Sequence, residues 1–198
     1  VARAFEGALA DNAVDIVLAE GLVASHLAVQ KPNLPKPVIA LFVVDPVFQG
    51  APVDDGTSGR ANLSYLTLAY GVRQAIRDFE SLVGFRDLTL LVPAAFLEAA
   101  PDFSGKLRRE FAESDIQLNP VGVGKAVEAA VKSLPDATDA VYVAPLPMLT
   151  DTQFAALLDA VHRRGWPTFA HDGQDDVARG AMAGMAPPPN VPRFSRRI

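Results

Sequence analysis

The sequence predicts an α/β protein whose parallel sheets are covered by helices. Residues 38–44 (Val-Ile-Ala-Leu-Phe-Val-Val) are almost entirely apolar, as in a strand that is buried on both faces of a parallel sheet. From residue 63 onward, short apolar runs alternate with segments of helical periodicity. Repeated strand–helix–strand units of this kind build parallel sheets, so we expect an α/β fold.

The composition is that of an ordinary globular protein, and it excludes several kinds of site. The chain has 198 residues, 49% of them hydrophobic and 21% charged, enough for one large domain or two small ones. A net charge of -5 argues against a surface for DNA or RNA, because such surfaces are usually basic. The absence of cysteine excludes disulfides, zinc–thiolate sites, iron–sulfur clusters and cysteine nucleophiles.

The beginning of the chain predicts part of an α/β lobe. Apolar residues at helical spacing over 4–9 precede a strand of residues 14–19. Gly21 ends that strand, and a helix over residues 22–29 leads towards the apolar strand described above. Residues 49–60 are rich in turn formers and predict a crossover between two lobes. With only two strands, this lobe lacks the opening strand–helix units of a doubly wound sheet.

The remainder predicts a complete second lobe in which strands and helices alternate. The expected strands occupy residues 63–66, 88–92, 116–121, 140–143, 167–170 and 181–185. The expected helices occupy residues 70–83, 93–113 with an interruption near Pro101, 125–134, 152–164 and 175–179. We therefore predict a partial N-terminal lobe over residues 1–60, a C-terminal lobe over 61–186, and a linker with the start of a helix over 187–198.

Nucleotide-binding and catalytic motifs are incomplete or missing. Residues 121–126 (Val-Gly-Val-Gly-Lys-Ala) resemble a phosphate-binding loop, but Asn119 and Ala126 replace the first glycine and the hydroxyl residue that this motif requires. Ser25 and His26 are adjacent on a predicted helix, where neighbouring side chains diverge by about 100° and cannot form a nucleophile–base pair. The histidine spacing does not match a helical zinc site, so we expect neither a metal nor a cofactor.

Polar residues and glycine follow several predicted strands, at the end where open parallel sheets bind ligands. His171 and Asp172 begin the densest polar cluster, which either lines a ligand site or forms a turn with acidic residues at a helix start. Gly21 precedes a helix whose first N–H groups can hold an anion, or it forms an ordinary strand–helix turn. Asp45 can bind an ammonium group or cap a turn.

Taken together, several short motifs resemble ABC-transporter substrate-binding proteins of the TrpX-like type. In the first lobe these motifs are Asp15-Ile16-Val17-Leu18 with Gly21 and Ser25, and Lys36-Pro37-Val38-Ile39 leading to Asp45-Pro46 and Gly50. Asn62-Leu63-Ser64-Tyr65 resembles the crossover between lobes. In the second lobe they are Asp139-Ala140-Val141-Tyr142, Pro145-Leu146, Trp166-Pro167-Thr168-Phe169, and Asp176-Val177 with Gly180, while Arg196-Arg197 resembles the start of a further helix.

This resemblance implies a two-lobed type I periplasmic-binding-protein fold with parallel sheets, helices on both faces and an incomplete first lobe. It implies a solute-binding component of an ABC-type transport system, which binds an amino-acid-like molecule or another small carboxylate between the lobes without chemistry. ABC permease subunits are the implied partners, and the implied location is periplasmic or lipid-anchored and extracytoplasmic. Because the family's first and last segments are missing, the chain is expected to be a fragment.

The resemblance also assigns ligand-binding positions at the ends of predicted strands. They are Gly21, Ser25, Asp45, Pro93, Ala94, Pro145, Leu146, His171 and Asp172. It implies that helix-terminal N–H groups hold a carboxylate, while Asp45 or Asp172 meets an amine. Hinge closure around the ligand would then present a closed surface to a permease.

Two other functions and one property of the fragment remain open at this point. The chain could be a small-metabolite α/β enzyme that uses cleft carboxylates or His171, or a sensor or interaction domain with a vestigial cleft. Turnover of a substrate would favour the enzyme, whereas saturable binding without turnover would favour the solute receptor. We also expect the fragment to self-associate, because an incomplete sheet exposes edges and apolar faces.

Overall fold

The structure, a computed structural model, describes residues 1–67 and 71–185. They form two compact units. The first unit consists of Val1–Gly71 together with Ala95–Leu107, and the second consists of Val72–Ala94 together with the described residues from Arg108 onward. The predicted linker and helix start at 187–198 lie outside the described residues.

The secondary structure alternates between helices and strands along the whole described chain. In chain order the elements are α1 (Ala2–Ala10), β1 (Val17–Ala19), α2 (Leu22–Gln30), β2 (Val38–Val43), α3 (Pro46–Gln49), β3 (Leu63–Thr67), α4 (Val72–Val83), β4 (Asp87–Pro93), α5 (Ala94–Ala99), α6 (Phe103–Glu110), β5 (Gln117–Val123), α7 (Val127–Lys132), β6 (Ala140–Val143), α8 (Asp151–His162), β7 (Thr168–Ala170), α9 (Gln174–Ala178) and β8 (Ala183–Gly184).

The first unit is built on a parallel sheet with strand order β1-β2-β3. Successive side chains of a strand point to opposite faces, and one face of this sheet packs against α1 and α2. The buried cluster on that face joins Val17, Val38 and Leu63 of the three strands to Phe5 of α1 and Val29 of α2. Apolar alternation in the sequence therefore fixes which side of each strand faces these helices.

The last strand of this sheet, β3, lies on the other side of the domain boundary that we predicted at residue 60. Leu63–Thr67 pairs in parallel with β2, with Val38 beside Leu63 and Ala40 beside Tyr65. Backbone pairing therefore keeps β3 in the first sheet, and the chain enters the second unit only after Gly71. The turn-rich residues before β3 connect two strands of one sheet.

The second unit contains a parallel sheet with strand order β5-β4-β6-β7-β8. Its central strands are buried on both faces: all four residues of β6 are buried, as are the last six of β4. On one face Val141 and Val143 pack with Phe154 and Leu157 of α8. On the other face the ring of Phe169 in β7 lies 5.3 Å from that of Phe79 in α4. Helices on both faces confirm the predicted α/β class for this unit.

Local sequence signals explain several element ends in the second unit. Helix α8 begins with a capping box, in which the Thr150 hydroxyl accepts a hydrogen bond from the Gln153 backbone N–H and the Gln153 side chain accepts one from the Thr150 N–H. The predicted helix 93–113 is divided into α5 and α6 around Pro101. Pro120 lies within β5, which is tolerated because β5 is the outermost strand at that side of the described sheet.

The face of the first sheet opposite α1 and α2 carries exposed apolar side chains. Leu18 of β1 is 60% exposed and lies beside Ile39 of β2, while Ile16 is 50% exposed and Leu66 of β3 is 49% exposed. Parallel sheets are normally covered on both faces, because their backbone and apolar side chains are otherwise left in water. We therefore expect the predicted self-association to use this face.

We expect the 198-residue chain to self-associate through this face, and we expect Leu18→Glu to oppose that association because it places a charge among the apolar side chains. Light scattering coupled to size exclusion at several concentrations measures the mass. Leu82→Glu is the matched control, because Leu82 is 69% exposed on α4 of the second unit. A monodisperse monomer of the unaltered chain at every concentration would contradict the prediction.

Candidate functional site

The strand order of the second unit places a topological switch point at β4. β4 and β6 are neighbours in the sheet. After β4 the chain continues to β5 on one side of this pair, and after β6 it continues to β7 on the other side, so the connections after the two strands run in opposite directions. A crevice forms at the carboxyl ends of the strands at such a point, and it is where open α/β sheets bind ligands. The expected ligand position in this unit is therefore the carboxyl end of β4 and β6.

Three of the predicted residue pairs lie at this end of the sheet, and we call them together the carboxyl edge of the second unit. They are Pro93-Ala94 after β4, Pro145-Leu146 after β6 and His171-Asp172 after β7. Hydrogen bonds keep the edge in line: Ala144 donates its N–H to the Leu91 carbonyl at 2.9 Å, and His171 donates its N–H to the Val143 carbonyl at 2.8 Å. Tertiary structure thus brings together residues that are up to 79 positions apart (93 to 172).

The edge residues after β4 and β6 are apolar and uncharged. Pro93, Pro145 and Leu146 are buried, and Ala94 is half-buried. Leu146 belongs to the apolar core on the α7–α8 face. Proline lacks a backbone N–H, so these two turns offer few hydrogen-bond donors. They are suited to form an apolar wall beside the polar group at the end of β7.

His171 is the buried polar residue of this edge. It is 5% exposed, and its Nδ1 lies 2.8 Å from the hydroxyl of Tyr142 in β6. The same hydroxyl lies 3.8 Å from the sulfur of Met185. Burial lowers the pKa of His171 to about 4, so the ring is neutral at pH 7. A neutral imidazole carries its single proton on one nitrogen, and the bond at Nδ1 determines what Nε2 can offer.

The second ring nitrogen of His171, Nε2, is buried and has no hydrogen-bond partner among the described residues. A buried polar atom without a partner costs about 1–3 kcal/mol, and such atoms in native structures call for a water, a ligand or a functional explanation. Within the described structure, His171 is therefore the residue of this edge with an unsatisfied hydrogen-bonding group.

The turn after His171 depends on two glycines. Gly173 has φ 60° and ψ −120°, a conformation that residues with a side chain rarely adopt, and a Cβ there would collide with the carbonyl oxygen of Met185. Gly184 in β8 is equally confined, since a Cβ would lie 2.7 Å from the Cα of Gly173. This close approach holds β8 against the turn and brings Met185 to Tyr142.

Acidic residues follow His171 and carry more negative charge than the nearby arginine neutralises. Asp176 is buried and accepts a hydrogen bond from Arg179 at 2.9 Å, and Arg179 also pairs with Asp151 at 3.0 Å. Asp172 is exposed, yet partial burial of its carboxyl, followed by the charges of Asp176 and Asp175, raises its pKa to about 6 against the opposing Arg179. Solvent around an exposed carboxyl limits the size of that shift.

The predicted residues of the first unit have their polar groups engaged within the protein. Ser25 is fully buried, where its hydroxyl donates to the Ala19 carbonyl at 2.9 Å and accepts from the Phe42 N–H at 2.9 Å. Asp45 is buried and caps α3, accepting from the N–H groups of Val47 and Phe48 at 3.0 and 3.1 Å. The Ser25 hydroxyl therefore ties β1, β2 and α2 together, and Asp45 stabilises a helix start.

Gly21 occupies the N-cap of α2, with φ 80° and without a side-chain hydrogen bond to the helix. Apart from its chain neighbours, no atom of the described residues lies within 4 Å of the position where a Cβ of residue 21 would be, so the need for glycine is conformational rather than steric. Gly21 and Asp45 follow the adjacent parallel strands β1 and β2 and thus lie at the same edge of the first sheet.

Comparisons with known proteins were made by family model, by curated sequence and by solved structure. No family model and no curated protein matches the chain. Two solved structures match over 92% of this chain at 17% sequence identity: a conserved domain protein from Vibrio cholerae O1 biovar El Tor (TM-score 0.60) and a structure described as the ABC domain in complex with L-Trp from Streptococcus pneumonia (TM-score 0.59). The chain spans 62% and 64% of the length of these two structures.

The chain has a type I periplasmic-binding-protein-like fold. The strand order β5-β4-β6-β7-β8 and the two α/β units agree with this assignment. The predicted fold is thereby confirmed, and the residues of the carboxyl edge lie where this type I periplasmic-binding-protein-like fold has a switch point. The assignment of those residues to a ligand stays a prediction.

Three residues around the predicted His171 and Asp172 could not be named from the sequence. Tyr142 contacts His171, Met185 contacts Tyr142, and Arg179 binds Asp176 of the acidic segment that follows His171. One signal was available for Tyr142, because a hydroxyl in the otherwise apolar strand Ala140–Val143 requires a buried partner. Among the described residues, no group of three or more His, Asp or Glu side chains is arranged to hold a metal ion.

Substituting Gly173→Ala is expected to lower the free energy of unfolding by about 2–4 kcal/mol, from backbone strain together with the collision with Met185. Chemical denaturation followed by far-UV circular dichroism measures the change. Gly124→Ala is the matched control, because Gly124 has no atom within 4 Å of a Cβ and no positive φ. Equal losses in the two variants would contradict the role assigned to the turn.

Acidification is expected to destabilise the chain through His171. Above pH 6.5 the His171 ring is neutral in both the folded and the unfolded chain. Below pH 6.5 the ring binds a proton in the unfolded chain, whereas in the folded chain it binds one only near pH 4. The free energy of unfolding therefore falls as the pH is lowered from 6.5 to about 4. The shift corresponds to about 3 kcal/mol, since one pKa unit equals 1.36 kcal/mol. We expect His171→Asn to abolish this component in denaturation curves at pH 4.5 and 7.5.

Asp172 acts in the opposite direction in part of the same window, because its raised pKa favours the folded state as pH falls below about 6. It is present in both the parent and the His171→Asn chain, so the difference between them isolates the histidine. His162→Gln on α8 serves as a control for the loss of another histidine of the same unit. An unchanged pH dependence in His171→Asn would show that His171 is not the responsible group.

Proposed function

We propose that this chain belongs to a solute-binding protein of an ABC-type transport system and binds an amino-acid-like small molecule without changing it. The observation that carries the proposal is the carboxyl edge of the second unit, where apolar turns follow β4 and β6 at the switch point and the turn after the next strand, β7, contains His171 and the exposed Asp172. Ligands of open α/β sheets bind at this position. Its partners under this proposal are ABC permease subunits, and its location is periplasmic or lipid-anchored and extracytoplasmic.

The charges at the edge favour a ligand with an ammonium group. Asp172 is exposed, whereas Asp176 is bound to Arg179 and Asp45 caps α3. The proposal therefore assigns the ammonium contact to Asp172. The similar structure from Streptococcus pneumonia, described as a complex with L-Trp, supports an amino acid as the ligand class. Charged hydrogen bonds of this kind contribute about 1.5–3 kcal/mol.

The apolar residues at the same edge suit the side chain of such a ligand. Pro93, Ala94 and Pro145 lie at the ends of two adjacent strands and present little hydrogen-bonding capacity. Binding sites for small molecules are mostly apolar with a few polar groups that fix orientation. Here the exposed orienting group is the carboxylate of Asp172.

An enzymatic function has one observation in its favour. His171 and Asp172 are adjacent and both have displaced pKa values, which is a common property of acid–base catalysts. Against it, the Nδ1 of His171 is bonded to Tyr142 and its Nε2 is buried, so neither nitrogen is presented to a substrate. The geometry therefore favours binding over proton transfer.

Among the described residues, no helix has the length and apolarity needed to span a bilayer.

A thermal-shift panel tests the proposal with three matched compounds: L-tryptophan, tryptamine, which lacks the carboxylate, and 3-indolepropionate, which lacks the ammonium group. A ligand present at 100 times its dissociation constant stabilises the folded state by about 2.7 kcal/mol, which raises the midpoint by several degrees. We expect the two ammonium compounds to give the shift. Asp172→Asn should weaken their binding by about tenfold or more, because it removes the paired charge.

Asp175→Asn is the matched control, since Asp175 is an exposed acidic residue at the start of α9, three positions after Asp172, and its loss changes the net charge equally. Equal weakening in both variants would assign the effect to general electrostatics. Absence of any shift with the three compounds and with a panel of other amino acids, while unfolding stays cooperative, would contradict solute binding and favour a sensor or interaction role. Chemical conversion of a bound compound, detected by chromatography, would favour the enzyme instead.

A further inference from the structure

The segment Ala95–Leu107 belongs to the first unit, although the chain immediately before and after it belongs to the second. It contains all of α5 except Ala94, and the first five of the eight residues of α6. The chain enters it directly from Pro93 and Ala94 at the carboxyl edge of the second unit. Any interaction that holds this segment therefore also fixes the chain that follows those two residues.

Aromatic contacts hold the segment on the first unit. The ring of Phe96 in α5 lies 5.0 Å from that of Phe103 in α6, and Phe103 lies 6.2 Å from Phe48 in α3, both in edge-to-face geometry. Phe96 also meets the ring of His26 in α2, at 5.4 Å and 74° between planes. All four rings are buried, so His26 is one wall of an otherwise apolar cluster.

A second contact fixes the other end of the segment. Lys106 of α6 lies against Gly50, where an added Cβ would be only 2.7 Å from its Nζ. The backbone of Gly50 is left-handed, and its carbonyl accepts a hydrogen bond from Gln30 of α2 at 3.2 Å. The segment therefore contacts both α2 and the end of α3.

His26 has the properties of a group that must stay neutral in this position. It is 2% exposed, and its Nδ1 is buried without a hydrogen-bond partner among the described residues. The charged groups that act on it are Lys106 and Asp102, which pair with each other at 3.0 Å, while α2 and α3 contain no charged side chain. Burial lowers the pKa of His26, and Lys106 acts in the same direction against Asp102 and the carbonyls of Ala99 and Gln49.

We propose that protonation of His26 loosens Ala95–Leu107 from the first unit, so that pH sets how firmly this segment is held. A charged imidazolium in a cluster of phenylalanine rings loses its hydration, and opening of the segment restores contact with water. Because the packed form requires the neutral ring, the hold weakens as pH falls below 6.5, the ordinary pKa of histidine. With one proton linked, the opening equilibrium changes by up to tenfold per pH unit.

Hydrogen–deuterium exchange of the whole chain at pH 7.5, 6.5, 5.5 and 4.5, corrected for the intrinsic exchange rate, tests this inference. We expect protection in peptides from residues 95–107 to fall by up to tenfold per pH unit once His26 titrates, while peptides from residues 117–123 of β5 lose less. In His26→Leu, which fills a similar volume without a titrating group, the protection of the segment should not depend on pH in this way.

Lys106→Gln is a second variant on a less buried residue. It removes the cation that disfavours protonation of His26 and should move the loosening to higher pH. His162→Gln in the second unit should leave the behaviour of the segment unchanged. The inference is overturned if His26→Leu keeps the parent's pH dependence, or if Lys106→Gln produces no shift. It is also overturned if residues 95–107 exchange together with residues 117–123 at every pH, since this pattern indicates global unfolding.

Discussion

Burial of β4 and β6 on both faces is the constraint on which the second unit depends. Strands that are buried on both faces contain few polar side chains, and those present, such as Thr89 and Tyr142, bond to other buried groups. Their backbone groups must be paired by neighbouring strands. Pairing places β5, β7 and β8 around them and aligns the ends of β4, β6 and β7. The polar residues that we predict to bind a ligand at this edge, His171 and Asp172, accordingly lie in the turn after β7 and not within a strand.

Among the described residues, each unit contains one buried histidine whose ring has a nitrogen without a hydrogen-bond partner, His26 in the first and His171 in the second. Both rings are edge-on to an aromatic side chain, Phe96 and Tyr142 respectively. The two histidines differ in their surroundings. The Nδ1 of His171 is hydrogen-bonded to the Tyr142 hydroxyl, whereas His26 is surrounded by phenylalanine rings and backbone carbonyls. Burial disfavours the charged form of both rings, so each histidine contributes more to the stability of the folded chain at neutral pH than at acidic pH.

A shared fold does not determine what an individual site does. At 17% identity, the two similar structures establish architecture, and the chemistry must come from residues of this chain. At the carboxyl edge these residues are of three kinds. They are an apolar wall built largely from proline and alanine, one neutral imidazole, and carboxylates that Arg179 neutralises only in part. Under the proposed function, such a combination distinguishes ligands by charge at one end and by shape at the other.

Most secondary structure, and the positions of the strand ends, could be predicted from the sequence. The alternation of apolar runs with helical periodicity located all eight strands of the described part of the chain, and Pro101 marked the division between α5 and α6. The four-residue helix α3 was missed, because Asp45-Pro46 signals a turn as well as a helix start and the element is too short to show periodicity. These features depend on residues close together in the chain, which is why local patterns reveal them.

Only the tertiary structure decided which polar groups remain available. Ser25 follows a glycine turn like a binding residue, but β1 and β2 supply both of its hydrogen-bond partners. Tyr142 reaches His171 across 29 positions of the chain and Met185 across 43, and the placement of Ala95–Leu107 in the first unit follows from contacts with α2 and α3. Periodicity fixes the face on which a side chain lies, whereas its partner is fixed by the packing of distant segments, which no local pattern records.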